Sequence, residues 1–258
     1  MALRRILLPV DFSEASEHAA RYGAALADRC GASLTFCHVL TPGHDEPYRL
    51  TGFLPEITAG RVELHGDPAH EILAQAGLLQ AGLIAMATHG HGAFRRFLLG
   101  SVAAKVLHDA PCPVLTTTHG EEKPAFDGMG AILCAVDLGP ASEAVIRFAG
   151  DLAKSLGAEV SVIHVLPPET LGGVSYYDPE KWIGVSASKL RQLCADANVE
   201  AHMMVRTGHL AAVLNAAAAE LRAGLLVIGR HPDGGVVGRL RDQAYTVIRE
   251  SSVPVVSV

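Results

Sequence analysis

A chain of 258 residues holds one large domain or two of ordinary size, and 49% hydrophobic against 19% charged residues is enough to bury a core and excludes a disordered chain. A formal net charge of −6 excludes a general binder of nucleic acid or of membrane surfaces. Aromatics are only 5%, so the core falls to small aliphatic residues, which suits near-continuous apolar strands in α/β layers.

The first strand is expected over 4–10. Ala15, Ala19, Tyr22, Leu26 and Ala27 recur near the helical period, so 13–30 is a helix, and Gly31 stops it. A second strand follows over 33–39. The stretch 41–60 shows no periodicity and is expected to be a loop. A short strand over 61–65 leads through Gly66-Asp67-Pro68 into a helix over 69–81, with Pro68 near its first position. Then come a strand over 82–88, a glycine-bearing loop, a helix over 102–109 and a last strand over 114–118. Gly120 to Gly130, with Glu121-Glu122-Lys123-Pro124 inside it, is expected to be a linker.

The order then repeats. Ile6-Leu7-Leu8-Pro9-Val10-Asp11 matches Ile132-Leu133-Cys134-Ala135-Val136-Asp137, Gly31-Ala32 matches Gly157-Ala158, and His38-Val39 matches His164-Val165, all at one offset of 126 residues. Later matches, such as Pro113-Val114 with Pro254-Val255, need a larger offset, so the second copy carries an insertion. Its expected elements are a strand over 131–136, helix 141–156, strand 159–165, helix 179–197 carrying Trp182, strand 199–205, helix 209–222, strand 225–229, helix 241–250 and strand 254–258. The first copy has no counterpart of the 179–197 helix, so its sheet should be covered less completely there. The domains read as 1–119, a linker over 120–130, and 131–258. Strands alternating with helices mean parallel strands joined by right-handed crossovers, with ligands beyond the carboxyl ends of the strands.

The stretch with the most chemistry is Ala87 to Ser101. Gly90 and Gly92 let the backbone turn and approach a ligand closely, and Gly100-Ser101 stands at a helix start, where unpaired N–H groups favour an anion. Arg95 and Arg96 add positive charge between them. A tight turn with an ordinary serine cap is the plainer reading of the same residues. Neither a G-x-x-x-x-G-K-[ST] loop nor a dinucleotide fingerprint is present.

The spacing Ala87-x2-Gly90-x9-Gly100-Ser101 resembles the G-x2-G-x9-G-[ST] loop of universal stress proteins. So do, in the same order, Leu7-Leu8-Pro9-Val10-Asp11-Phe12-Ser13, His38-Val39, Gly66-Asp67-Pro68 and Pro111-Cys112-Pro113-Val114. The likeness covers nearly all of the first copy and the second with gaps, as in a tandem two-domain member. It implies two five-stranded parallel sheets of the adenine-nucleotide α-hydrolase-like, Rossmann-like type, strand order 3-2-1-4-5. It also implies a stress-response regulator or adaptor that binds ATP, or ADP or AMP, with Mg²⁺ as an accompanying cation held by phosphate oxygens and water.

The residues carried over are Pro9, Asp11, Val39, Ala87, His89, Gly90, Gly92, Gly100, Ser101 and Val102. Asp11 would contact adenine or ribose, Val39 would give a backbone contact to adenine, and Gly90, Gly100, Ser101 and Val102 would hold the phosphates. Ala87 departs from the pattern by adding a Cβ where the family has glycine. Asp11 has a structural alternative as a helix cap, with Glu14 completing a capping box; the alternative for Val39 is simply the end of a strand, and for Val102 the packing of a helix.

In the second copy the loop reads Gly229-Arg230-His231-Pro232-Asp233-Gly234-Gly235, with Pro232 where the second glycine belongs. The Gly-Ser pair becomes Arg241-Asp242 or Asp242-Gln243. A carboxylate there repels phosphate, so the second domain is expected to have lost nucleotide binding and to act as a built-in partner, an intramolecular pseudo-dimer paired through the last strands of the two copies. A homodimer of chains is also compatible. Five scattered cysteines and an N-terminus too short for a signal peptide point to reduced thiols in the cytoplasm. The 13 histidines show no H-E-x-x-H spacing, no G-x-S-x-G occurs, and the expectation is a binding protein with slow ATP hydrolysis at most. The alternatives are a nucleotide-free interaction module and a weak ATP hydrolase on the same fold.

Overall fold

The computed structural model describes residues 3–41, 49–89, 99–117, 129–168, 179–230 and 238–258. The chain divides into two compact units, essentially residues 2–124 and 125–256. Most of the linker expected over 120–130, residues 120–128, lies outside the described residues.

The first unit runs β1 (Arg5–Pro9), α1 (Glu14–Cys30), β2 (Ser33–Leu40), a 3₁₀ turn (Arg49–Gly52), β3 (Gly60–His65), α2 (Pro68–Leu78), β4 (Leu83–Ala87), α3 (Ser101–Asp109) and β5 (Val114–Thr117). Its strands lie side by side as β3-β2-β1-β4-β5, and β1–β2, β2–β3, β1–β4 and β4–β5 are parallel. Ile6, Leu7 and Leu8 are all buried, which explains why β1 reads as a continuous apolar run and not as an alternation: both faces of the strand are covered.

Helix α1 starts where its sequence dictates. Ser13 is the N-cap and accepts from Ser16 N–H, Glu14 and Glu17 occupy the first turn, and Arg29 the last, each complementing the helix dipole. Gly31 ends it in the left-handed conformation, φ 63°. Its inner face is built from Ala19, Ala20, Tyr22, Leu26 and Ala27. Helix α2 begins at Pro68, one residue before the expected start, and stops at Leu78, three residues before the expected end. Asp67 caps it by accepting from His70 N–H at 2.9 Å. That bond, and then the Lys105 ammonium, hold the Asp67 carboxyl below its ordinary range.

The second unit repeats the plan: β6 (Ala131–Ala135), α4 (Ser142–Leu156), β7 (Glu159–Leu166), α5 (Pro179–Asp196), β8 (His202–Thr207), α6 (Leu210–Glu220), β9 (Ala223–Ile228), α7 (Gly238–Glu250) and β10 (Val255–Ser257). The strand order is β8-β7-β6-β9-β10. Both sheets therefore have the 3-2-1-4-5 order of a Rossmann-like fold. The repeat reaches individual torsions: Phe12 and Leu138 both have positive φ (62° and 63°), and Gly31 and Gly157 both close a helix (63° and 66°). After the insertion the match resumes 142 residues apart, at Gly66 and Gly208, with φ 143° and 142°.

Some elements fall elsewhere than the periodicity places them. β8 starts at His202, not 199, and α7 at Gly238, not 241. Within the loop expected over 41–60, the described residues 49–59 hold the 3₁₀ turn and cover the first sheet where the second unit uses α5. Leu50 and Leu54 are buried there. Matching arginines tie each cover down: Arg21 on α1 reaches Glu56 at 2.8 Å, and Arg147 on α4 reaches the carbonyl of Asp196 at the end of α5.

Candidate functional site

In the 3-2-1-4-5 order the chain leaves β1 and β4, which are neighbours, toward opposite sides. That is the switch point where a crevice opens beyond the carboxyl ends of the strands. The expected site residues that are described all belong to the segments around it.

On the β2 side, the β1–β2 register ends at Pro9↔Cys37, and Val10 N–H still donates to Cys37 O at 2.9 Å. Backbone groups alternate sides along a strand, so Cys37 and Val39 both present N–H and C=O toward β1, while His38 presents its own toward β3. A continued ladder would offer the Val10 carbonyl to Val39 N–H. Instead Nδ1 of the buried His38 donates to that carbonyl at 2.7 Å. Val39, its side chain buried, thereby turns a backbone donor and acceptor toward the space beyond β1. His164 makes the same bond to Val136 O, at 2.8 Å, in the second unit. The signal for this role was in the sequence, since the two histidines match in the repeat, but the bond needs coordinates.

Asp11 lies just past β1 and is exposed. Its Oδ1 accepts from Ser13 N–H (3.0 Å) and from the Ser13 hydroxyl (2.6 Å). Asp11 is therefore not the helix cap: Ser13 is, and Glu14, the first helical residue, stands two positions before the one that would complete a capping box with it. Asp11 orients the cap. Asp137 accepts from Gly139 N–H and from the hydroxyl of Ser142, the first residue of α4, whose N-cap Ala141 has no side-chain cap bond.

On the other side of the crevice, Ala87 is the last residue of β4, paired with Thr117. Thr88 and the buried His89 follow, joined by a hydrogen bond between Thr88 Oγ1 and His89 Nδ1 at 3.0 Å. Gly100, the N-cap of α3, donates its N–H to Thr88 O at 2.8 Å. A Cβ on Gly100 would sit 3.3 Å from that oxygen, so a larger residue has to push strand end and helix start apart. The first bond inside the helix is Ala104 N–H to Gly100 O, which leaves the N–H groups of Ser101, Val102 and Ala103 at the positive end of the dipole. No acidic residue stands in this first turn, and Ser101 is exposed. Gly90, Gly92, Arg95 and Arg96 lie outside the described residues.

The second unit differs at this place. β9 ends at Ile228, and α7 begins at Gly238, about one turn before the Arg241-Asp242 positions that stand against Gly100-Ser101 in the repeat. Pro232 and its neighbours lie outside the described residues. Among the described residues, no cluster of three or more His, Cys, Asp or Glu could hold a metal ion, and no helix is long and apolar enough to cross a membrane. The cysteines are all free thiols, and burial pushes Cys37 up to about 12, far from a reactive thiolate.

The model of the universal stress protein family matches residues 2–61, 50–117 and 129–258. A universal stress protein of Mycolicibacterium smegmatis is 27% identical over 288 residues, covering 98% of this chain and 96% of its own. One of Thermus aquaticus is 34% identical over 134 residues, 43% of this chain and 96% of its own, the length of a single unit. A solved universal stress protein from Archaeoglobus fulgidus matches at 26% identity with a TM-score of 0.71, over 98% of this chain and 95% of that one.

Proposed function

The chain belongs to the universal stress protein family, and on that footing we propose that its first unit binds ATP or a related adenine nucleotide as a signal of cellular state. The observation that carries this reading is the pairing of two different half-sites across one crevice. One half is the Val39 backbone edge beside Asp11; the other is the open start of α3, fastened to the end of β4 by Gly100. A backbone N–H and C=O side by side suit the acceptor and amino group of adenine. Asp11, beside them, suits a ribose hydroxyl. The α3 N-terminus and Ser101 suit phosphate oxygens, with Mg²⁺ carried by the phosphates and water. Catalysis is not part of the proposal. Ligand binding would shift the populations that a protein partner meets. The second unit, with Pro232 in place of the second glycine of the loop, is proposed to have lost nucleotide binding.

Titration calorimetry with ATP, ADP and AMP tests this on the full chain. Wild type should bind at least one of the three. Ser101→Ala should weaken binding about fivefold, the loss of one net hydrogen bond of about 1 kcal/mol. Gly100→Asp should abolish it, because it places a carboxylate and a crowded Cβ where phosphate belongs. Failure of all three nucleotides to bind wild type would remove the proposal in favour of a nucleotide-free interaction module, a reading that the Cβ of Ala87 at the rim favours. Turnover well above background that depends on Ser101 would instead make the unit a hydrolase.

A further inference from the structure

Arg61, at the second position of β3, does something no strand residue needs to do. One of its terminal nitrogens donates to Ala59 O at 3.1 Å, and the other lies 3.1 Å from both Phe53 O and Leu54 O and 3.5 Å from Ile57 O. Its guanidinium carbon stands 5.4 Å from the centre of the Phe36 ring, its register partner on β2. One side chain thus gathers four carbonyls of the 53–59 segment, which Arg21 also holds through Glu56. Only a planar fork with several donors can do this, which singles out arginine over lysine.

The segment so held carries Phe53, whose ring packs edge-on against Phe36 (5.6 Å between centroids) and Phe12 (5.4 Å). Phe12, turned back by its φ of 62°, lies 4.4 Å from the His38 ring. His38 in turn donates to the Val10 carbonyl, next to the Val39 edge. A continuous line of contacts therefore runs from Arg61 through Phe53 and Phe12 to the histidine that opens the Val39 edge.

We propose that Arg61 is a positioning residue for base recognition: it clamps the aromatic wall that fixes His38, and so sets how selectively the Val39 edge reads a nucleobase. This rests on the nucleotide-binding reading above. In guanine the donor and acceptor on the corresponding edge are exchanged relative to adenine, so a well-fixed edge discriminates between them and a loose one does not.

The test is the ratio of ATP to GTP affinity, measured by calorimetry on the full chain for wild type, Arg61→Ala and Phe53→Leu, with melting temperatures recorded alongside. Both ligands carry the same triphosphate, so a general loss of stability weakens both and leaves the ratio unchanged. Wild type should prefer ATP, and each variant should lower the preference about tenfold, which corresponds to about 1.4 kcal/mol. Phe53→Leu keeps the backbone carbonyls that Arg61 binds, so it reports on the wall even if Arg61→Ala fails to fold. A wild type that binds ATP without preferring it, or variants that keep the wild-type ratio, would overturn the role of Arg61 and leave the nucleotide proposal standing. A wild type that binds neither would remove both.

Discussion

Ser13 shows how much one side chain can carry. Its hydroxyl donates to Asp11 Oδ1 at 2.6 Å and accepts from Ser16 N–H at 3.2 Å, while the residue is only 7% exposed. It therefore caps α1 and orients the Asp11 carboxylate. Ser13→Ala should cost about 1 kcal/mol of stability, the usual cost of losing a cap, read as a lower urea midpoint with unchanged slope. A variant as stable as wild type would show that the cap carries no net stability. The aligned Gly139 has only its backbone N–H to offer Asp137, with Ser142 supplying the hydroxyl. At this scale the sequence was partly legible. A D-x-S before an apolar-periodic run announces a helix start, but two residues could each have been the cap, and only the backbone torsions choose between them.

Elements are punctuated more reliably than they are filled. Gly31 and Gly157 end α1 and α4 in left-handed conformations, and a Cβ added at either would meet nothing within 4 Å. Gly31→Ala and Gly157→Ala should therefore each cost about 1–2 kcal/mol through backbone strain alone, with no packing penalty to confuse the result. Denaturant unfolding of the two variants checks this, and unequal losses would mean that the two caps are not equivalent as their torsions imply. By contrast, the start of β8 and the cover over the first sheet were not legible in the sequence. β8 is half exposed and short of periodic apolar residues. The 3₁₀ cover depends on Arg61 collecting carbonyls from residues up to eight positions away, which no local pattern announces.

At the scale of the whole molecule, burial governs the thiols. Burial pushes Cys37 up to about 12 and also raises Cys134 and Cys194, from an ordinary value of 9.0. The folded chain keeps these protons while the unfolded chain releases them, so their contribution is intact below the unfolded value and is lost as pH rises above about 9 toward the folded values. The urea midpoint should stay level with respect to these groups up to that point and then fall. The Cys37 share should be about 1 kcal/mol by about pH 10, and Cys37→Ala should flatten the decline. A decline identical in wild type and variant would assign it to other groups.

The sequence alone determined the duplicated α/β plan, the strand order implied by family likeness, and the segments that meet at the crevice. These follow from hydrophobic period, from glycines at chain reversals and from motifs with fixed spacing, all of which are local. Tertiary structure alone decided which groups are turned toward that crevice. His38 bonding the Val10 carbonyl, Gly100 fastening α3 to Thr88 and Arg61 clamping the 53–59 segment are contacts that no helical or strand period announces. Such a contact is set by where neighbouring strands end relative to one another, a quantity that exists only once the sheet has formed.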